Sequence, residues 1–184
     1  MIITKDNLMI RSATLEDAEI LTAWWNDGNI MAHAGFPLGL NQSIEKTTEQ
    51  IKANESSLSQ RCIIEVNHIK VGEMNYWLYQ DEKVASIGIK ICNSDYQNKG
   101  YGTKFIKMLI EFIFTDEYLN GKCKINKIIL DTNVKNKRAQ HVYEKIGFSN
   151  LGINKKGWLD QLGIEQHCVD FAMTRAYFEN SFIK

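Results

Sequence analysis

Gln97-Asn98-Lys99-Gly100-Tyr101-Gly102 lies between an apolar run, Val84 to Cys92, and a segment whose apolar residues Phe105, Met108, Leu109, Phe112 and Ile113 recur at helical spacing. In the run, Ile87, Ile89 and Ile91 point one way while Gly88, Lys90 and Cys92 point the other, as in a strand. The hexapeptide is therefore a strand-to-helix turn, and its two glycines remove Cβ atoms where the helix begins. Consecutive backbone N–H groups at such a point suit an anion. Two rival phosphate motifs do not fit: no Gly-Lys-Ser/Thr ending follows, and Ile106 stands where a third glycine of a dinucleotide turn would continue.

Working outward, Lys127 to Thr132 contains Ile128-Ile129-Leu130, a short apolar run of the kind found in buried parallel strands. Strand, helix and strand in succession predict a right-handed crossover. The helix between them is expected to end before Asn120-Gly121. A further helix carries Ala139, Val142, Tyr143 and Ile146 at i, i+3, i+4, i+7, with Gly147 placed to stop it. Phe148 to Ile153 and Glu165 to Arg175 read as two last strands. Upstream, Cys62 to Val66, Lys70 to Tyr79 and Val84 to Cys92 form an antiparallel meander with turns at Asn67-His68 and Gln80-Asp81-Glu82-Lys83. Leu8 to Arg11 is an opening strand. Thr14 with Asp17 starts a helix along Leu15, Ala18, Leu21 and Trp25 that ends near Asn26-Asp27-Gly28. A thinner stripe from Ser43, with Ile44, Thr48, Ile51 and Leu58, predicts a helix over an edge of the sheet.

The chain has 184 residues, 44% hydrophobic and 24% charged, which favours one compact domain over 1–184. Its 22 basic and 22 acidic residues exert no net pull toward nucleic acid or an anionic membrane, and neither is expected as a partner. Cys62, Cys92, Cys123 and Cys168 are too scattered for a zinc site or redox dithiol, so no metal is expected. The first residues mix Lys5, Asp6 and Arg11 among apolar ones, unlike a signal peptide. No stretch approaches the roughly 20 apolar residues of a membrane span. The cytoplasm is the expected location.

Gln97, Gly100 and Gly102 form Gln-x-x-Gly-x-Gly, and Asn136, Ala139, Tyr143, Gly147 and Phe148 form Asn-x-x-Ala followed by Tyr-x-x-x-Gly-Phe. In this order and separation the two segments resemble the GNAT superfamily of acetyl-CoA-dependent N-acetyltransferases, most strongly from about Val84 to Phe148. The resemblance implies an α+β fold in α/β/α layers, with a mixed sheet of about six or seven strands, a splayed parallel pair and about four flanking helices. Acetyl-CoA would be the cosubstrate. The residues implied to hold it are Ile89 and Ile91, the turn Gln97, Asn98, Lys99, Gly100, Tyr101, Gly102, Thr103 and Lys104, and Asn133, Asn136, Ala139 and Tyr143. Splayed strands leave backbone groups for the pantetheine amides. A backbone N–H at the end of the Val84 to Cys92 strand would face the thioester carbonyl. Tyr143 would protonate the departing thiolate, with direct transfer and no acyl-enzyme.

The attacking amine must be neutral, although an alkyl ammonium has a pKa of about 10.4. Many relatives carry a glutamate in the strand before the glycine turn, but Ser86 stands here, which leaves Glu73 on the adjacent strand as the candidate base. The acceptor pocket is expected on the least regular segments, Trp24 to Leu40 and Gly152 to Gly163. They offer Trp24, Asn26, Asp27, His33, Phe36, Trp158 and Asp160, aromatics and acids suited to a cationic amine. Trp24-Trp25-Asn26-Asp27 is similar to the branch of ribosomal-protein alanine acetyltransferases and aminoglycoside 6′-acetyltransferases. The expected partners are acetyl-CoA and a primary amine, on a small molecule or a protein N-terminus, with a homodimer left open. The alternative is a GNAT-fold module that binds CoA as a sensor without turnover.

Overall fold

The computed structural model describes residues 1–53 and 58–182. The chain opens with a hairpin, β1 (Ile2–Lys5) and β2 (Leu8–Ser12), and continues through helices α1 (Ala18–Asn26), α2 (Gly28–Met31) and α3 (Ile44–Ala53). The meander follows as β3 (Ser59–Val66), β4 (Ile69–Tyr79) and β5 (Val84–Ile91). Beyond it come α4 (Tyr101–Thr115), α5 (Glu117–Lys122), β6 (Lys127–Asn133), α6 (Lys137–Ile146) and β7 (Ser149–Ile153). A short ribbon, β8 (Trp158–Leu159) and β9 (Glu165–Gln166), precedes β10 (Cys168–Thr174) and α7 (Arg175–Phe182).

The main sheet has eight strands in the order β1-β2-β3-β4-β5-β6-β10-β7, with β5 and β6 as its parallel pair. Its turns follow from local chemistry. Asn67 and His68 both take positive φ, 50° and 63°, as a two-residue hairpin whose twist matches its strands requires. On one face, α1 and α3 bury Leu21, Trp25 and Ile51 against Ile63 of β3. On the other, Phe105, Ile106, Leu109 and Ile110 of α4 join Met74, Phe171 and Phe178 in the main core. Each such side chain contributes about 1.5–3 kcal/mol by leaving water. No helix among the described residues is long and apolar enough to cross a membrane.

Among the described residues the sheet has eight strands where about six or seven were expected, and there are seven α-helices where about four were expected. The helix expected to run to Asn120 breaks at Thr115, because Asp116 turns extended and caps α5 by accepting the Leu119 N–H at 2.9 Å. Gly121 lies inside α5. The single strand expected from Glu165 to Arg175 divides at His167: Glu165–Gln166 pairs with Trp158–Leu159, while Cys168–Thr174 pairs with β6.

Candidate active site

The parallel pairing of β5 with β6 covers only Val84↔Lys127, Ala85↔Ile128 and Ser86↔Ile129. Past that point each strand follows its antiparallel neighbour. β5 stays in register with β4 up to Gly72↔Ile91, and β6 with β10 up to Cys168↔Asn133. The strands part as expected, and the gap opens into a cleft of about 1000 Å³. Ile87, Ile89 and Ile91 line it from β5 and Asp131, Thr132 and Asn133 from β6. Main-chain groups facing this gap have no strand to pair with.

The glycine turn forms the adjoining wall. Gly100 sits at the helix N-cap with φ 78°, a left-handed conformation that disfavours any other residue, and no side chain caps the helix. Lys104 N–H is bonded to Gly100 O at 3.2 Å, whereas the N–H groups of Tyr101, Gly102 and Thr103 have no backbone partner among the described residues. A Cβ on Gly102 would meet nothing within 4 Å, so the fold does not require glycine there. Gln97 Nε2 donates to Ile91 O at 2.9 Å and ties the turn to the end of β5. Arg138 of α6 donates to Asn98 Oδ1 at 2.9 Å across the mouth. Asn98, Gly100, Tyr101, Gly102 and Thr103 line the cleft; Lys99 and Lys104 are exposed and do not.

On the opposite wall, Asn136 caps α6 by accepting the Ala139 N–H at 3.2 Å, and Asn133 accepts the Lys135 N–H at 2.9 Å while donating to Gln166 at 3.0 Å. Both asparagines thus shape the loop that delivers α6. The cleft face of α6 carries Ala139, Val142 and Tyr143. The Tyr143 ring packs edge-on to Phe171, with centroids 5.4 Å apart, and against Phe148. Burial, with a smaller contribution from the Asp131 charge, pushes its phenol up to about 12. It is therefore protonated at neutral pH.

Glu73 lines the cleft but is not a solvated carboxylate. It is 3% exposed, accepts from Trp25 Nε1 at 3.0 Å, and forms ion pairs with Arg61 at 2.6 Å and Lys90 at 3.1 Å. Burial alone would raise its pKa; the Lys90 and Arg61 charges and the Trp25 hydrogen bond outweigh that and hold it below the usual carboxylate range.

The two irregular segments named for the acceptor do meet. Gln161 fastens them, its N–H donating to Gly35 O at 3.0 Å, its Oε1 accepting from Leu38 N–H at 3.0 Å and its Nε2 donating to Gly39 O at 2.7 Å. His33 and Trp158 thereby line the cleft. The other five candidates, Trp24, Asn26, Asp27, Phe36 and Asp160, do not line it, and four have structural partners instead. Trp24 packs on the α1–α3 core. The Asn26 side-chain amide clasps the Gln42 backbone, Nδ2 donating to Gln42 O and Oδ1 accepting from Gln42 N–H. Asp27 caps α2 by accepting Asn29 N–H at 2.8 Å. Asp160 accepts from Leu162 and Ile164 N–H and from Gln166.

Sequence reasoning passed over Arg61, Asn75, Lys90, Asp131, Arg138 and Cys168, all of which line the cleft. A signal existed for some of them. Lys90 between Ile89 and Ile91, and Asp131 after Ile128-Ile129-Leu130, are charges set inside apolar strands, where a partner or a ligand must account for them. Among the described residues no group of three or more His, Cys, Asp or Glu side chains is placed to hold a metal ion.

A family model for the GNAT acetyltransferase domain matches residues 7–149. The aminoglycoside N(6′)-acetyltransferase type 1 of Klebsiella pneumoniae is 26% identical over 161 residues, covering 81% of this chain and 77% of its own. Two solved structures share the fold. RimL, a ribosomal L7/L12 alpha-N-protein acetyltransferase in complex with CoA, superposes with TM-score 0.82 at 16% identity over 96% of this chain and 99% of its own. The spermidine N-acetyltransferase of Vibrio cholerae, in complex with CoA and spermine, does so with TM-score 0.81 at 21% identity over 95% and 99%. With both the glycine turn and the Tyr143 helix inside the matched region, the chain belongs to the GNAT acetyltransferase family and is an N-acetyltransferase.

Proposed function

We propose that the protein transfers the acetyl group of acetyl-CoA directly to a primary amine, on a small molecule or a protein or peptide N-terminus. The observation that carries this reading is the opening between β5 and β6 beside an α4 start whose first N–H groups are uncapped. Those N–H groups, at the positive end of a 15-residue helix, are suited to a pyrophosphate, with Asn98, Lys99, Lys104 and Arg138 adding donors around the mouth. Ile89 offers strand groups with no β6 partner to the pantetheine amides, while the carbonyls of Ile91 and Asn133 are already held by Gln97 Nε2 and the Asn136 N–H and leave their N–H sides for the ligand; Asn136 and Ala139 border them on α6. A β5 N–H would stabilise the thioester oxygen as negative charge develops. That solved neighbours bind CoA supports the assignment.

Tyr143 donates its proton to the departing sulfur, a role its protonated state at neutral pH allows. Glu73 is a poor proton acceptor, because Arg61 and Lys90 stabilise its ionised form. We assign it to holding those two cations in place. Asp131 is the other carboxylate lining the cleft among the described residues, and it is exposed on the Tyr143 side; it takes the acceptor's proton, directly or through water. The four free cysteines suit a reducing cytoplasm.

The test is thiol release from acetyl-CoA in the presence of aminoglycosides, polyamines, amino acids and N-terminal peptides. Amine-dependent release supports transfer. Binding of acetyl-CoA by calorimetry with no release from any amine would favour the CoA-binding module.

A further inference from the structure

The floor of the cleft at its acceptor end is formed by three adjacent strands. The cross-strand pairs Arg61↔Asn75 and Glu73↔Lys90, with Ser86 opposite Trp77, put Arg61, Glu73, Asn75, Ser86 and Lys90 on one face of the sheet, and all five line the cleft. Their charges do not balance. Arg61 and Lys90 are both positive, and Glu73 is the one acid between them, with Oε2 paired to Arg61 and Oε1 to Lys90.

Both cations keep donating capacity. The Arg61 guanidinium stacks on Trp25 at 4.6 Å, which fixes its plane, and its Nη2 has no hydrogen-bond partner among the described residues. Lys90 makes one hydrogen bond and is one-third exposed. The Asn75 amide and the Ser86 hydroxyl also have no partner among the described residues, and Gly88 supplies the room in which the amide lies. Such a floor offers a surplus of donors and positive charge. A polycation would meet two cations whose counter-ion is already engaged, and Asp131 stands across the cleft on β6.

We infer that the acceptor is a small amine that also carries an oxyanion, carboxylate or phosphate, a few bonds from its nitrogen, and that Arg61 and Lys90 receive that oxyanion. This rests on the acetyl-transfer reading above. It departs from the expectation that aromatics with a few acids receive a cationic amine, because Asp27 and Asp160 are engaged by a helix cap and a turn.

The experiment compares matched acceptors by thiol release: glycine with glycinamide, aspartate with asparagine, and phosphoethanolamine with ethanolamine, with spermidine as the polycation. The anionic member of at least one pair is expected to have kcat/KM about tenfold higher, the scale of one charge-assisted hydrogen bond. The carboxylate and phosphate pairs tell the two oxyanions apart. In Arg61→Gln and Lys90→Gln that ratio should fall to about threefold or less, and Arg61→Lys should restore part of it. The readout is a ratio within each folded variant, so a general loss of activity does not imitate it. Equal use of both members of every pair, a preference for spermidine, or a preference that persists in both Gln variants overturns the inference while leaving acetyl transfer intact. No release from any acceptor, with acetyl-CoA binding retained, removes the transfer reading and this inference with it.

Discussion

The two ends of the cleft are built from different materials. At the end proposed to hold the acetyl donor the surface is mainly backbone: the parted edges of β5 and β6, the first turn of α4, and the loop that Asn133 and Asn136 shape before α6. At the end proposed to receive the acceptor it is side chain: Arg61, Glu73, Asn75 and Lys90 on three strands, with His33 and Trp158 also lining it. A backbone surface recognises what any member of a family shares, whereas a side-chain surface can change with each substitution while the fold stands.

The comparison can be broken most directly at the point where the two ends meet. Tyr143→Phe should lower kcat about 100-fold or more, the usual scale for a lost general acid, and leave the Kd for acetyl-CoA within about twofold. Unchanged kcat would remove the phenol from the chemistry. At the donor end, Gly102→Val should weaken acetyl-CoA binding about tenfold or more, because its side chain occupies the space a diphosphate needs to approach the N–H groups. The apo protein should melt no earlier than wild type, since a Cβ there touches nothing within 4 Å. Unaltered affinity by calorimetry would show that no anion approaches this turn.

Acid tests the buried ion pairs. Asp17 is fully buried and paired with Arg11 and Lys70; burial would raise its pKa, but those partners and the Thr14 N–H hold it far below the usual carboxylate range. Glu73 is depressed as well. A carboxylate with a lowered folded pKa contributes stability that is complete above its unfolded pKa of about 4 and is lost as pH falls through the folded value. The thermal midpoint should therefore be nearly level from about pH 7 to 5 and fall progressively below about pH 4. In Asp17→Asn it should start lower and fall less steeply. A wild-type profile still level at pH 3 would contradict the role given to these pairs.

The smallest effects should come from residues that sequence reasoning put in the pocket. Asp27→Asn and Asp160→Asn should change the acceptor KM by less than about threefold, because neither side chain lines the cleft and an asparagine oxygen still accepts the backbone N–H groups of Asn29, or of Leu162 and Ile164; Asp160→Asn gives up the hydrogen bond from Gln166. A selective rise in acceptor KM would return these acids to the site.

How far the sequence could be read follows the same division. The β5–turn–α4–β6–α6 unit was legible because glycines, strand alternation and helical spacing are local signals, and each implies a backbone conformation. The break at Asp116 was also written locally, as a Thr-Asp-Glu helix start inside a longer apolar stripe, but the stripe's period hid it. The short strands β8 and β9 had no such signal. They exist because Trp158–Leu159 finds Glu165–Gln166 and because Gln161 bonds to Gly39, 122 residues away.

The sequence by itself determined the fold class, the crossover, the glycine-led helix start and the helix that carries Tyr143, since each depends on residues within a few positions of one another. Only the tertiary structure decided at which pair, Ser86↔Ile129, the pairing of the splayed strands ends, that Glu73 is held by Arg61 and Lys90, and that Asp27 and Asp160 serve turns rather than the cleft. Those outcomes depend on which side chains sheet register and loop contacts bring together, and a carboxylate in sequence looks the same whether it meets water, a cation or a backbone N–H.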